Sequence, residues 1–401
     1  MYNLRSSLLV VCFSSLVTIF CSSCEEPKQP EFGEGDLGMD VEQTADGGFL
    51  VVGETKSRGA GGSDAWLIKT DNLGNLEWSA TYGGTDDDWA YDLDLLPDGG
   101  AIIVGTTMSS GAGETDVWLF RVDDDGTLLW EQTFGGISYD HGFHVEQDYD
   151  GGFILSAETY SFGAGENDGW LIKTDQLGTV IWEKTYGTGG RERAYWVAAL
   201  RDSNYIVAGY TDTLSASEPA SDLLIFKVDQ AGTVLWEKPY IVGNSAVGRS
   251  VVETTDGGYV VAGFFQSYYG DDIWFLKTDT DGQLLWDQVF TGGADDRAAA
   301  VALTDDGGYI IVGASQSYGH GLNDCFLIKT DDQGEIEWNH FYGGASYDIG
   351  RAVQQTREGN YIVAGTSQSI GPGDGEVWLL LAAGDNEQLW SKTFGDASDD
   401  L

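Results

Sequence analysis

Four cysteines and six prolines in 401 residues leave this chain few covalent staples and few rigid breaks. Three of the cysteines (Cys12, Cys21 and Cys24) fall within the first 24 residues, so Cys325 has no partner in the remainder and the fold must be held by its core. Basic residues are scarce too: 20 Lys and Arg face 65 Asp and Glu, a net charge of −45. A surface of that sign repels nucleic acid and anionic lipid, which argues against both as partners. Long apolar runs are missing. The early stretch Leu8 to Phe20 is too short to span a bilayer and has the length of a secretory signal core. What the chain does have is 57 glycines, 14 Trp, 19 Tyr and 17 Phe. Glycine turns between aromatic strands disfavour both a helical bundle and disorder.

The glycines are periodic. Asp-Gly-Gly followed by an apolar run starts at Asp46, Asp98, Asp150, Asp256 and Asp306, with degenerate copies at Asp202 and Glu358. A second marker keeps the same register: Trp78, Trp130, Trp182, Trp236, Trp286, Trp338 and Trp390, about 52 residues apart. Each of the seven units reads as four strands, a to d. Strand a leads into the Asp-Gly-Gly turn, whose glycines supply positive φ. Strand b is apolar on both faces, as in Tyr259-Val260-Val261-Ala262-Gly263, and is therefore buried on both. Strand c follows a Gly/Ser loop, and an Asp-x-x-Gly turn leads into strand d with its Trp. Seven such units predict an all-β, seven-bladed β-propeller of four antiparallel strands per blade, one domain over 36–401. The last blade should close onto the first with little strand exchange.

Two resemblances follow from these residues. Cys21-Ser22-Ser23-Cys24 at the end of the apolar core resembles a bacterial lipoprotein signal. It implies a signal peptide over 1–23, a lipidated Cys24, a tether over 24–35 and anchoring to the outer membrane through that lipid. Glu25-Glu26 is similar to the acidic tag that directs some Bacteroidetes lipoproteins to the cell surface. The series Asp71-Gly74-Trp78, Asp123-Gly126-Trp130 and so on to Asp331-Gly334-Trp338 resembles the tryptophan-docking motif of quinoprotein-like propellers, with an Asp-to-Gly gap one residue shorter. Unit seven departs, with Ala383 and Asn386 before Trp390. As a whole the unit is similar to Bacteroidetes repeat lipoproteins, a family without an agreed activity. The resemblance implies no cofactor: the vicinal cysteine pair of quinoprotein dehydrogenases is missing.

The b–c and d–a loops share one face, here the top, and vary most, so a ligand site is expected there. Carboxylates open strand a (Asp36, Asp88, Asp140, Glu192, Asp296, Asp348) and strand c (Asp64, Asp116, Asp168, Asp222, Asp272, Asp324, Glu376). Clustered hard oxygens could hold calcium, but a feature present in nearly every blade is expected to serve the blade by accepting backbone N–H bonds. Features that break the repeat are better site candidates. Early in strand a, units four to seven carry Arg193, Arg249, Arg297 and Arg351; units one to three carry Leu37, Trp89 and His141, or Met39, Tyr91 and Phe143. With strand a innermost, the channel mouth would be half basic and half aromatic, suited to a carboxylated or sulfated sugar or an acidic peptide end. The competing reading is that these arginines neutralise Asp295, Asp296 and Asp348. No nucleophile elbow or catalytic triad order is present, and His141 and His144, three apart on a strand, should face opposite sides. The chain therefore reads as a binding or interaction module for protein or glycan. The alternatives are a polysaccharide-acting enzyme or its accessory, and a scaffold subunit of an envelope assembly.

Overall fold

The computed structural model describes residues 35–213, 220–242, 245–371 and 375–395. The segment expected to be a signal peptide, Cys24 and all but the last residue of the expected tether lie outside them. The chain forms seven sheets, each built from four consecutive antiparallel strands. In the first blade these are strand a (Leu37–Gln43), b (Phe49–Thr55), c (Asp64–Thr70) and d (Leu76–Tyr82). Strand a of every blade packs against strand a of the next, and blade seven against blade one, so the a strands line the central axis. Strands b and c of the first blade are buried at every position, because each sheet is covered by a neighbour on both faces. Apolar side chains on these strands stabilise the ring by roughly 1.5–3 kcal/mol each.

The turns follow from the repeat. In blade one, Gly47 takes φ +90° while Asp46 Oδ1 accepts the Gly48 N–H at 2.9 Å. Asp46 Oδ2 meets Lys69 Nζ at 2.9 Å, tying the a–b turn to strand c. The c–d turn is an Asx turn, with Asp71 Oδ1 accepting the N–H groups of Leu73 and Asn75. Its glycine, Gly74, has φ +73°; in blade seven Asn386 occupies that left-handed position at φ 71°.

The tryptophans of strand d lie across the seams. A Cβ at Gly126 would stand 2.7 Å from the Trp78 ring, and one at Gly74 2.8 Å from Trp390. The indole of one blade thus rests on the bare turn glycine of the next at six seams, that between blades seven and one included; in blade seven Asn386 stands in place of the glycine. Tyrosines reinforce the contact: Tyr186 Oη donates to Gly232 O at 2.8 Å and Tyr342 Oη to Asn386 O at 2.8 Å.

Strand a carries a β-bulge at the same place in every blade, leaving Met39, Tyr91, Phe143, Tyr195, Arg249, Ala299 and Arg351 as the extra residues. A side chain opposite the bulge would collide with it: a Cβ at Gly53 would sit 1.9 Å from Leu37 O. The bulge also changes the facing of strand a. His141 pairs with Glu158 and His144 with Ser156, two residues apart on strand b and so on one face. The expectation that the two histidines face opposite sides is thus corrected: one extra residue restores their parity.

On the top face the repeating carboxylates hold the loops. Asp116 Oδ2 accepts the Ala112 and Gly113 N–H groups at 2.9 and 3.1 Å, and Asp64, Asp168 and Asp324 do the same in their blades. Asp88, Asp296 and Asp348 accept from the Ser or Thr that ends strand b and from the serine two residues later. Replacing Asp116 by Ala orphans two N–H groups beneath the loop. The expected loss is about 2–4 kcal/mol in denaturant unfolding, and Asp116→Asn, which keeps one acceptor oxygen, should lose less than half of that.

Candidate functional site

The mouth of the channel is where the sevenfold pattern breaks. Arg193 stands on strand a of blade four (Glu192–Ala199). Its Nε donates to Glu158 Oε2 at 2.6 Å and its Nη1 to Tyr195 Oη at 2.8 Å. Its guanidinium lies 5.5 Å from the Phe143 ring centroid, 5.3 Å from Tyr195 and 5.8 Å from Tyr210. Arg249, the bulge residue of blade five (Ala246–Glu253), lies 4.1 Å from the Tyr195 ring and 5.7 Å from Phe264. Arg297, in blade six, also lies over Phe264, 5.2 Å from its ring centroid; its Nε donates to Asp271 Oδ2 at 2.6 Å and its Nη2 is 3.6 Å from Asp295. Rings and guanidinium groups therefore alternate from blade three to blade six. Phe143 is half-buried, and Tyr195, Tyr210, Val247 and Phe264 form a small buried cluster beneath the cations.

This arrangement corrects the sequence reading. The mouth is not divided into a basic half and an aromatic half, because strand b contributes Tyr210 and Phe264 between the arginines. The competing reading holds in part: Asp295 meets Arg297, whereas Asp296 and Asp348 accept bonds from their b–c loops, and Glu158 and Asp271 pair with Arg193 and Arg297. Glu158, which is 2% exposed, also meets His141 Nδ1 at 2.9 Å and Asn167 Nδ2 at 2.9 Å. Sequence reasoning missed Glu158 and Glu54, though each interrupts an otherwise apolar strand b just before its final Thr. Glu54 faces the field of Arg351 and Lys56, yet its burial outweighs both cations and pushes its carboxyl up to about 7. Burial in turn lowers the Arg351 guanidinium from its usual value, with Glu54 opposing. Trp89 pairs with Thr106 and is half-buried at the same level.

Lower on the same strands lies a second asymmetric feature. Asp40, Glu42, Asp92, Asp94 and Glu146 belong to strands a of blades one to three. Each accepts a backbone N–H from strand a of the following blade: Leu93, Leu95, Val145, Gln147 and Ala199 in turn, at 2.6–3.3 Å. The innermost strand has an open edge, and these side chains satisfy it. Burial raises all five carboxyls, with repulsion from neighbouring carboxylates adding to it at all but Asp94; Asp40 rises to about 6 and Glu146 to about 8. His144 holds the equivalent position beside Asp92 (3.6 Å) and stacks on Trp196 with ring centroids 3.8 Å apart; burial lowers it to about 3 and keeps it neutral. Among the described residues no group of three or more His, Cys, Asp or Glu is placed to hold a metal ion.

No family model matches this chain, and no curated protein does. Solved structures do match. A puromycin hydrolase S511A mutant complexed with PGG aligns at 12% identity and TM-score 0.56, over 92% of this chain and 55% of that one. This chain thus spans about half of the hydrolase. Chaetomium thermophilum Sqt1 bound to the N-terminus of the ribosomal protein L10 aligns at 11% identity and TM-score 0.50, over 90% and 88%. The Neurospora crassa Pan2 WD40 domain aligns at 11% and 0.50, over 84% and 88%. At these identities the likeness is one of fold, the propeller.

Proposed function

We propose that this chain is a binding module, a lipoprotein of the outer membrane held through Cys24, whose loop-rich face takes a protein or glycan ligand at the channel mouth. One observation carries the reading: a ring that repeats its turns, seams and loop staples in blade after blade departs from that repetition at the mouth, with arginines interleaved among aromatic rings. A guanidinium over a ring face can still aim in-plane N–H groups at an anionic ligand. The quinoprotein-like spacing of Asp, Gly and Trp and the Cys21-Ser22-Ser23-Cys24 segment support an extracytoplasmic binding protein. Similarity to propellers with bound peptides is in keeping with a protein ligand.

The test is to probe glycan and peptide arrays with wild type and with Arg193→Gln/Arg297→Gln. Binding to one class, weakened at least about tenfold in the variant, is expected. No binder on either array, or one that the double variant and Arg249→Gln both hold as well as wild type, removes the mouth as the site.

A further inference from the structure

We propose that Arg249 captures the free C-terminal carboxylate of a basic polypeptide segment. The inference rests on the reading of the mouth as a ligand site and adds its ligand. Arg193 and Arg297 each meet a carboxylate of the chain itself at 2.6 Å, and Arg351 lies in the field of Glu54. Arg249 differs: among the described residues its contacts are the faces of Tyr195 and Phe264, and no carboxylate lies within ion-pair distance. The Arg249 guanidinium carbon lies over the Tyr195 ring, 4.1 Å from its centroid, and a guanidinium that stacks on a ring face leaves its rim of N–H donors to a ligand. That rim matches the two oxygens of one carboxylate. The stack sits on the buried Tyr195, Tyr210, Val247 and Phe264 cluster, so the cation is held in place before any ligand arrives.

Charge decides what the carboxylate belongs to. The chain carries −45 overall, and the top-face loops expose Asp86, Glu114 and Glu166 against Lys56 and Arg58, with Asp87 and Asp295 half-exposed. A polyanion, such as a polyuronate or an acidic peptide, is repelled by that rim before it reaches Arg249. A ligand with one anionic end and basic side chains behind it is attracted by both. A polypeptide C-terminus preceded by Lys or Arg has that pattern. Exposed Tyr139, Tyr160, Phe162, Tyr268 and Tyr269 on the loops offer ring faces to its cations.

The experiment uses the full chain and three fluorescent probes: a hexapeptide pool with two Lys or Arg and a free C-terminus, the same pool amidated, and an oligouronate. The free-acid pool is expected to bind at least about tenfold tighter than the amidated pool, the scale of one bidentate charge-assisted pair. Arg249→Gln should erase that difference while leaving the thermal midpoint within a few degrees. Amidated peptide binding as well as free acid overturns the proposal and leaves the binding-module reading standing. So does oligouronate binding lost in Arg249→Gln with no peptide bound. Failure of every probe, together with empty glycan and peptide arrays, overturns both. If Arg249→Gln does not fold, the free-acid against amide comparison on wild type decides alone.

Discussion

Between pH 5 and pH 8 the propeller is expected to lose stability, the reverse of ordinary acid denaturation. Asp40, Glu42, Asp92, Asp94 and Glu146 are raised in the folded ring, chiefly by burial, and Glu54 is raised to about 7. A carboxyl whose folded pKa exceeds its unfolded one contributes stability fully below the unfolded value. It loses that contribution as pH climbs through the folded value. The window therefore opens near the ordinary carboxylate range and extends through about 6 for Asp40 and about 8 for Glu146. His144 acts in the opposite sense: lowered to about 3, it costs one proton's worth of stability as pH falls below its unfolded value. Asp46, Asp256 and Asp306, lowered to about 2, begin to cost stability only in stronger acid. The optimum should then lie near pH 5. One pKa unit is about 1.4 kcal/mol; summed over these groups and reduced by solvent screening, the fall in thermal midpoint by pH 8 is on the order of 5 °C. Glu146→Gln keeps an acceptor for the Ala199 N–H and removes the charge, so its melts should depend less on pH. A midpoint that rises steadily from pH 5 to pH 8 would refute this account.

The second large effect is expected at the seam between blades seven and one. No strand of one is shared with the other; side chains and a backbone bond join them. Gln43 N–H donates to Gln354 Oε1 at 2.9 Å, Gln43 Oε1 accepts Arg357 N–H at 2.9 Å, and Gln43 Nε2 donates to Glu358 Oε2 at 3.0 Å. Asp36 N–H donates to Gly375 O, and Trp390 rests on Gly74. Gln43→Ala leaves the Arg357 N–H without its acceptor and Glu358 Oε2 without its donor, a cost of about 1 kcal/mol at this part-buried seam. Trp390→Ala removes a large ring from the same seam, about 3 kcal/mol. At every other seam a covalent d–a loop limits separation; here two blades can part locally. Hydrogen exchange in the double variant should therefore quicken first in Leu37–Gln43 and Asp348–Gln355, ahead of blades three and four. Trp182→Ala, a comparable loss at an interior seam, should show no such local opening. Uniform acceleration in both variants would mean that the ring opens only by global unfolding.

The architecture was legible because spacing alone carries it: two markers in register define the units, and strands apolar on both faces require neighbours on both. The mouth was legible only as composition. Arg193, Arg249, Arg297 and Arg351 announce themselves against the repeat, but their partners come from strand b and from adjacent blades, and no linear spacing reports which carboxylate meets which cation. The facing of His141 and His144 was misread because a bulge inserts one residue without altering the 52-residue period. The acidic staples beneath were missed because Asp92 and Asp94 look like the solvated face of an alternating strand. Their task, closing the open edge of the neighbouring blade, exists only once the blades are side by side.

Each blade is one contiguous stretch, and the inner edges of blades two to four are sealed by side chains of the preceding blade rather than by a borrowed strand. Duplication or loss of a whole unit leaves every hydrogen-bonded hairpin intact and asks only that the wedge angle between sheets readjust. The number of units is then a matter of packing geometry around the axis, not of how the polypeptide is threaded.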